Sequence, residues 1–167
     1  ISVGVNEAYD YFAIQQKSKQ LIKDNAVMRI RGNQFQEVGA DTMWIGSIEG
    51  LFWFRFGPDT IYDQSAAPLI ADRIEDVVYD REHDLLWVAT NSQGLYGLRN
   101  GRVLHHFTDD NGLASNICLA LHYEISETAI YLGTVKGLHQ ISLENGVPLV
   151  RNLTSDYGLK EFKVNDI

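Results

Sequence analysis

Cysteine is almost absent. Cys118 is the only one in 167 residues, which excludes an intrachain disulfide and a CxxC metal site. It sits in the apolar run Ile117-Cys118-Leu119-Ala120-Leu121 and reads as a small buried hydrophobe. One cysteine fits a periplasm or a cytosol equally. No stretch approaches the roughly 18–20 apolar residues that span a bilayer as a helix, and no basic-then-apolar leader opens the chain. There is no initiator methionine. The sequence starts on one strand motif and closes on another, Asn165-Asp166-Ile167, so it is expected to be a processed protein or a segment of a longer one. Clustered Lys and Arg are missing too. Fourteen basic against 22 acidic residues leave a net charge of −8. That balance disfavours nucleic acid, whose binding draws on counterion release by grouped cations, and anionic membrane surfaces.

What is present is a phrase that returns four times. It reads Met43-Trp44-Ile45-Gly46-Ser47 with Gly50-Leu51 behind it, then Leu86-Trp87-Val88-Ala89-Thr90 with Gly94-Leu95. It recurs as Ile130-Tyr131-Leu132-Gly133-Thr134 with Gly137-Leu138, and a worn copy, Ile1-Ser2-Val3-Gly4-Val5 with Ala8-Tyr9, opens the chain. Counted at the second residue of the phrase, the steps are 42, 43 and 44 residues. A period in the low forties made of strand-like pieces predicts small sheets repeated around an axis, a β-propeller.

Each unit parses into four short antiparallel strands. An inner strand carries apolar residues three apart: Val27 and Ile30, Ile74 and Val77, Cys118 and Leu121, Val164 and Ile167. The phrase is the second strand, apolar almost throughout as befits a strand covered on both faces. Third strands are expected at Leu51 to Phe56, Leu95 to Arg99 and Leu138 to Leu143. Fourth strands are marked by Ile61-Tyr62, Val103 to Phe107 and Leu149 to Leu153. Gly57-Pro58-Asp59, Asn100-Gly101 and Asn145-Gly146 signal the outer hairpin turns. The units run approximately 1–24 (partial), 25–71, 72–115 and 116–161, with 162–167 the first strand of a further or shared blade. The fold class is all-β: about four repeat units, three whole blades plus one split between the termini, in what is expected to be a fragment of a larger propeller. If Val164 to Ile167 paired with Ile1 to Val5, the ring would close within this chain. Otherwise the open edges invite a homodimer. Trp44, Trp87 and Tyr131 are the expected fillers between blades, and Gly46, Ala89 and Gly133 mark close approach of sheets. Gln15 to Asp24 breaks the pattern and reads as a polar outer strand or loop.

Two features then converge on a family. Leu86-Trp87-Val88-Ala89-Thr90 with Gly94-Leu95 resembles the core of two-component regulator propeller repeats. Asp110-Asn111-Gly112-Leu113-Ala114-Ser115-Asn116-Ile117 resembles the linker that joins such repeats, and Asp156-Tyr157-Gly158-Leu159 is a looser match. The resemblance implies the extracytoplasmic, periplasmic sensing region of a bacterial inner-membrane receptor, with a histidine kinase or diguanylate cyclase output elsewhere in the parent chain. In one large branch of the family the ligands are oligosaccharides. The resemblance carries no ligand residues, because the matched positions are scaffold.

No catalytic constellation accompanies the repeats, and no cofactor or metal is expected. His105 and His106 are adjacent on a strand and point to opposite faces, so they are poorly placed to grip one ion. Asp80-Arg81-Glu82-His83-Asp84 reads as a solvated hairpin turn, and Asp109-Asp110-Asn111-Gly112 as a turn between blades. Ser47, Thr90 and Thr134 recur at equivalent positions, where a hydroxyl satisfies turn backbone. Propeller geometry brings the turn after the second strand and the linker after the fourth to one face. That face would carry Glu49, Asn91, Gln93, Asp109, Asp110, Lys136 and Tyr157, a set suited to a polar ligand such as a sugar. The expected function is therefore a non-catalytic, ligand-sensing module. A protein-interaction propeller and, less strongly, a propeller lyase stand as alternatives.

Overall fold

A computed structural model describes residues 34–38, 42–56, 61–64, 68–160 and 162–167. Among these described residues, twelve strands form three four-stranded antiparallel sheets, each a run of consecutive strands. The first holds β1 (Gln34–Val38), β2 (Thr42–Gly46), β3 (Leu51–Phe56) and β4 (Ile61–Gln64). The second holds β5 (Ile74–Asp80), β6 (Leu85–Thr90), β7 (Leu95–Arg99) and β8 (Arg102–Phe107). The third holds β9 (Cys118–Glu124), β10 (Ala129–Thr134), β11 (Gly137–Glu144) and β12 (Val147–Asn152), followed by a single helical turn, α1 (Leu153–Asp156). This is an all-β, propeller-type arrangement.

The sheets stack because their second strands are apolar on both faces. Every residue of β6 is buried. Leu86 and Val88 pack with Trp44, Leu51, Ile70, Ile74, Val77 and Leu98 between the first two sheets. On the opposite face Leu85, Trp87 and Ala89 join Cys118, Leu121, Ile130, Leu132 and Ile141 between the second and third. Trp87 is completely buried there, as the filler reading expects. Tyr131, its counterpart, is only half-buried and turns its hydroxyl to Glu127 at 2.5 Å.

The turns follow their residues. Asn100 and Gly101 close β7 to β8 with φ of 50° and 73°, and Asn145 and Gly146 close β11 to β12 with φ of 54° and 78°. Positive φ at both central positions matches the twist of the flanking strands. The recurring hydroxyls act as expected: Ser47, Thr90 and Thr134 donate to the carbonyls of Gly50, Gly94 and Gly137 at 3.1, 2.7 and 3.0 Å. Gly133 is also where backbones approach. A Cβ there would lie 2.7 Å from Val164 Cγ1 and 2.8 Å from the Val164 carbonyl oxygen.

Four expectations need correction or relocation. Val164 to Ile167 is not assigned to a strand; among the described residues the segment is tied to the fold by Val164 N–H donating to the Thr134 carbonyl at 3.0 Å. Its start nonetheless docks as β5 does, since Ile74 N–H reaches the Ser47 carbonyl at 2.9 Å. The inner strand of the first sheet is Gln34–Val38, with Phe35 opposite Ile45 as Val77 is opposite Val88; Val27 and Ile30 lie outside the described residues. The last outer strand begins at Val147 and stops at Asn152, whose side chain caps α1 by accepting the Ser155 N–H. Leu153 is thereby the first helical residue rather than the end of a strand. Finally, the Asp80 turn is not wholly solvated. Asp80 is buried because its Oδ1 accepts the N–H groups of Glu82 and His83 while its Oδ2 meets His83 Nδ1 at 2.7 Å. The worn first copy, Gln15 to Asp24, Gly57-Pro58-Asp59 and the ring-closing partner Ile1 to Val5 also lie outside the described residues.

Candidate functional site: the loop face and the inter-sheet cleft

The turns after the second strands and the linkers between sheets meet at one end of the stack. Asn91 N–H donates to the Arg73 carbonyl at 2.9 Å, and Gly94 N–H to the Asn116 carbonyl at 3.0 Å. The link is built around Asp72. Its Oδ2 accepts the N–H and hydroxyl of Ser92 and the N–H of Gln93, at 2.8, 3.0 and 3.0 Å. Gln93 is engaged at both ends of its amide, donating to the Ala71 carbonyl and accepting the Tyr96 hydroxyl. Tyr96 stacks on His106 with centroids 4.0 Å apart and planes 9° apart. His106 Nε2 donates in turn to the Gln93 carbonyl at 2.7 Å.

The next linker is tied in the same way. Asp109 Oδ1 accepts the Asn116 amide at 2.7 Å, and Asn116 Oδ1 accepts the Asp109 N–H at 2.8 Å. Asn111 bonds Thr108 N–H and the His106 carbonyl, which joins this linker to β8. Asn91, Gln93, Asp109 and Asp110 are thus brought together around the second sheet, all exposed. Asn91, Gln93 and Asp109 also hold the turn and linker in shape. Glu49 belongs to the turn of the first sheet, Lys136 to that of the third, and Tyr157 to the exposed end of α1. Glu49 and Lys136 use their backbone N–H groups on the Ser47 and Thr134 hydroxyls.

Residues without a sequence signal carry much of this geometry. His139 is fully buried on β11, and its Nε2 accepts the Ala114 N–H of the linker at 3.0 Å. A neutral ring that accepts at Nε2 carries its proton on Nδ1, which makes no hydrogen bond among the described residues. Burial lowers the His139 pKa. Asp76 joins the inner strands, its Oδ2 accepting the Leu121 N–H at 2.8 Å. Burial lifts its carboxyl to about 6 against the hydrogen bonds from Leu121 and Val77, and the Asp166 charge adds to the rise. Cys118 is buried, and burial pushes its thiol up to about 12, which keeps it inert.

His105 and His106 do point apart: His105 lies over Trp87 with centroids 5.9 Å apart, while His106 lies over Tyr96. Among the described residues no group of three or more His, Cys, Asp or Glu side chains is placed to hold a metal ion. No helix among them is long and apolar enough to cross a membrane.

The turns at the other end of the blades border a cleft between the first and second sheets. Trp44, Trp53, Leu69, Tyr79, Leu86 and Leu98 supply its apolar wall, and Arg55, Asp84, Asn100 and Gly101 its polar edge. The Tyr79 hydroxyl donates to Asp84 Oδ1 at 2.6 Å, which holds the phenol up to about 12 and therefore protonated. The Arg55 guanidinium stands over the Trp53 ring, 5.8 Å from its centroid.

No family model matches the chain, and no curated protein is significantly similar to it in sequence. Solved structures share the fold. The extracellular domains of two B. thetaiotaomicron proteins named for hybrid two-component systems, BT3049 and BT4673, superpose with TM-scores of 0.53 and 0.52 at 15% and 17% identity. They cover 78% and 79% of this chain and 19% and 17% of their own. PorZ, a surface component of the type-IX secretion system of Porphyromonas gingivalis, superposes with a TM-score of 0.50 at 17% identity over 79% of this chain and 25% of its own. The chain spans a quarter or less of the length of these structures, and what it shares with them is a fold: stacked four-stranded sheets of propeller type.

Proposed function

We propose that this chain is a ligand-sensing segment of an extracytoplasmic signalling receptor, without catalytic activity of its own. The observation that carries the reading is the loop face. Turns and linkers from successive sheets converge there, and the Asp72, Asp109 and Asn116 bonds hold them rigid without any ligand. A face whose shape is set beforehand spends little binding energy on ordering itself. The likeness to extracellular domains of two-component proteins supports the same direction. Amide, carboxylate, ammonium and phenol groups at Asn91, Gln93, Asp109, Asp110, Glu49, Lys136 and Tyr157 suit a polar, hydroxyl-rich ligand, and an oligosaccharide is the class we favour. The output, a histidine kinase or a cyclase, and the inner-membrane anchor would belong to the parent protein, and a second copy is a candidate partner at open blade edges.

The test is calorimetric titration of the chain with a panel of neutral and acidic oligosaccharides, repeated with Lys136→Ala and Tyr157→Ala. Saturable binding that either substitution weakens supports the reading. Consumption of any saccharide by the chain would turn it into an enzyme. Binding to none of them would remove the carbohydrate class.

A further inference from the structure

The cleft between the first two sheets is bordered by the Asp84 and Asn100 turns, and Leu69 of the linker between β4 and β5 also lines it. Asp84 lies in the turn between β5 and β6, and Asn100 and Gly101 in the turn between β7 and β8. Both turns join strands at the end of the sheet away from Asn91 and Gln93. The space measures about 410 Å³, within the range of small-molecule sites, which are mostly apolar with a few fixed polar groups.

Its lining discriminates between ligand types. Trp44, Leu86 and Leu98 are 7%, 3% and 1% exposed and form a dry base. A sugar ring carries hydroxyls around its whole rim, and those turned towards Leu86 and Leu98 would lose water without gaining a partner. An unpaired buried hydroxyl counts directly against binding. An aromatic ring has no such groups, and Trp44 and Tyr79 give stacked or T-shaped contact to it. The absence of a side chain at Gly101 keeps the edge of Trp44 uncovered: a Cβ there would sit 3.7 Å from Trp44 Cη2 and 3.8 Å from Leu69 Cδ1.

The polar groups come from both walls, Arg55 from β3 of the first sheet and Asp84 and Asn100 from turns of the second. Asp84 uses Oδ1 for the Tyr79 hydroxyl and retains a second carboxylate oxygen as an acceptor, and Asn100 lines the same cleft. The position of that carboxylate is fixed. Asp84 has φ of 52° in its turn, and Arg99 bonds the carbonyls of His83 and Asp84 at 2.6 and 3.4 Å. We propose that the cleft binds a small, free aromatic molecule bearing a hydrogen-bond donor on one edge, with Asp84 accepting the donor and Trp44 and Tyr79 packing the ring.

The experiment uses the full chain, labelled with nitrogen-15, titrated with indole, with toluene as an aromatic ring lacking the donor, and with maltose as a neutral sugar. Amide shifts at Leu86, Leu98 and Gly101 should saturate with indole and leave Lys136 and Tyr157 unmoved. Asp84→Asn suits the same left-handed backbone, and it replaces one of the two acceptor oxygens by an N–H2 donor. It should reduce indole affinity about tenfold while leaving toluene unchanged, as expected for a hydrogen bond to a charged group. Equal affinity for indole and toluene, non-saturating shifts, or maltose shifting the same three amides would overturn the assignment. Maltose shifts at the loop face alone would bear on the sensing reading and leave the cleft to the indole result.

Discussion

The Asp76 carboxylate grips Leu121 across the boundary between two sheets, 2.8 Å from its N–H, while its other oxygen takes the N–H of Val77 at 2.8 Å. Inner strands have no side-by-side pairing between blades, so a carboxylate here does the work of a ladder bond. Burial raises the folded-state pKa from 3.8 to about 6. The native chain therefore binds more protons than the unfolded one between those values, and stability falls as pH rises. The contribution is fully present below about pH 3.8 and is lost as pH passes 6. The difference in urea midpoint between wild type and Asp76→Asn should shift towards the variant between pH 4 and pH 7.5, on top of the fixed cost of replacing one acceptor oxygen by an N–H2 donor. Asp76→Ala should cost about 1–3 kcal/mol by orphaning the Leu121 N–H. A pH-independent gap between wild type and Asp76→Asn would show that the carboxyl titrates normally.

His139 works in the opposite sense. Its pKa is depressed by burial, so the unfolded chain protonates first as pH falls. The stability it contributes is complete above the ordinary histidine value of about 6.5 and declines below it. The Ala114 amide, which bonds Nε2, should exchange faster with solvent as the solution is taken from pH 7 to 5, after correction for intrinsic rates. His139→Gln should remove that extra dependence. Unchanged protection of Ala114 across this range in wild type would contradict the neutral, accepting ring.

Trp87 fills the space between the second and third sheets with no exposure to water. Replacing it by alanine should cost about 3–5 kcal/mol, the usual result for a large aromatic in a core. Tyr131→Ala, at the equivalent but half-buried position, should cost clearly less. Denaturant unfolding of both variants checks the ranking, and equal losses would mean that the two positions are packed alike.

Gly133→Ala should displace the chain near Val164, since the new methyl would lie under 3 Å from both the Val164 side chain and its carbonyl. Overpacking of this kind typically costs about 1–3 kcal/mol. Hydrogen exchange at the Val164 amide, bonded to Thr134, should accelerate selectively. Protection equal to wild type would place the segment elsewhere.

Much of the fold is legible in the residues. The expected third strands Leu51 to Phe56 and Leu95 to Arg99 coincide with β3 and β7, because a glycine at the turn and an apolar run fix both ends. The inner strand of the first sheet is misplaced for a physical reason. The spacing of two apolar residues three apart occurs at Val27 and Ile30 and again at Phe35 and Val38, and only pairing with β2 chooses between them. The candidate site was less readable. The loop-face residues can be named from topology, whereas Asp72, Asp76 and His139 act on groups 20, 45 and 25 residues away, and an isolated acid or histidine gives no sign of so distant a partner. The cleft was missed for a related reason: Trp44 announces a filler, and nothing local says that the opposing glycine, Gly101, leaves its edge bare.

The hydroxyl staple at each turn has a consequence for divergence. Ser47 and Thr134 span two intervening residues before their glycine, and Thr90 spans three, yet all three make the same bond to the glycine carbonyl. Closure is thus assigned to the two ends of the loop and to backbone N–H groups between them, which any residue supplies. Chemistry at the tip, and even its length by one residue, is free to change while the sheets beneath stay in register. A lineage built on such units varies what it recognises without renegotiating how it folds.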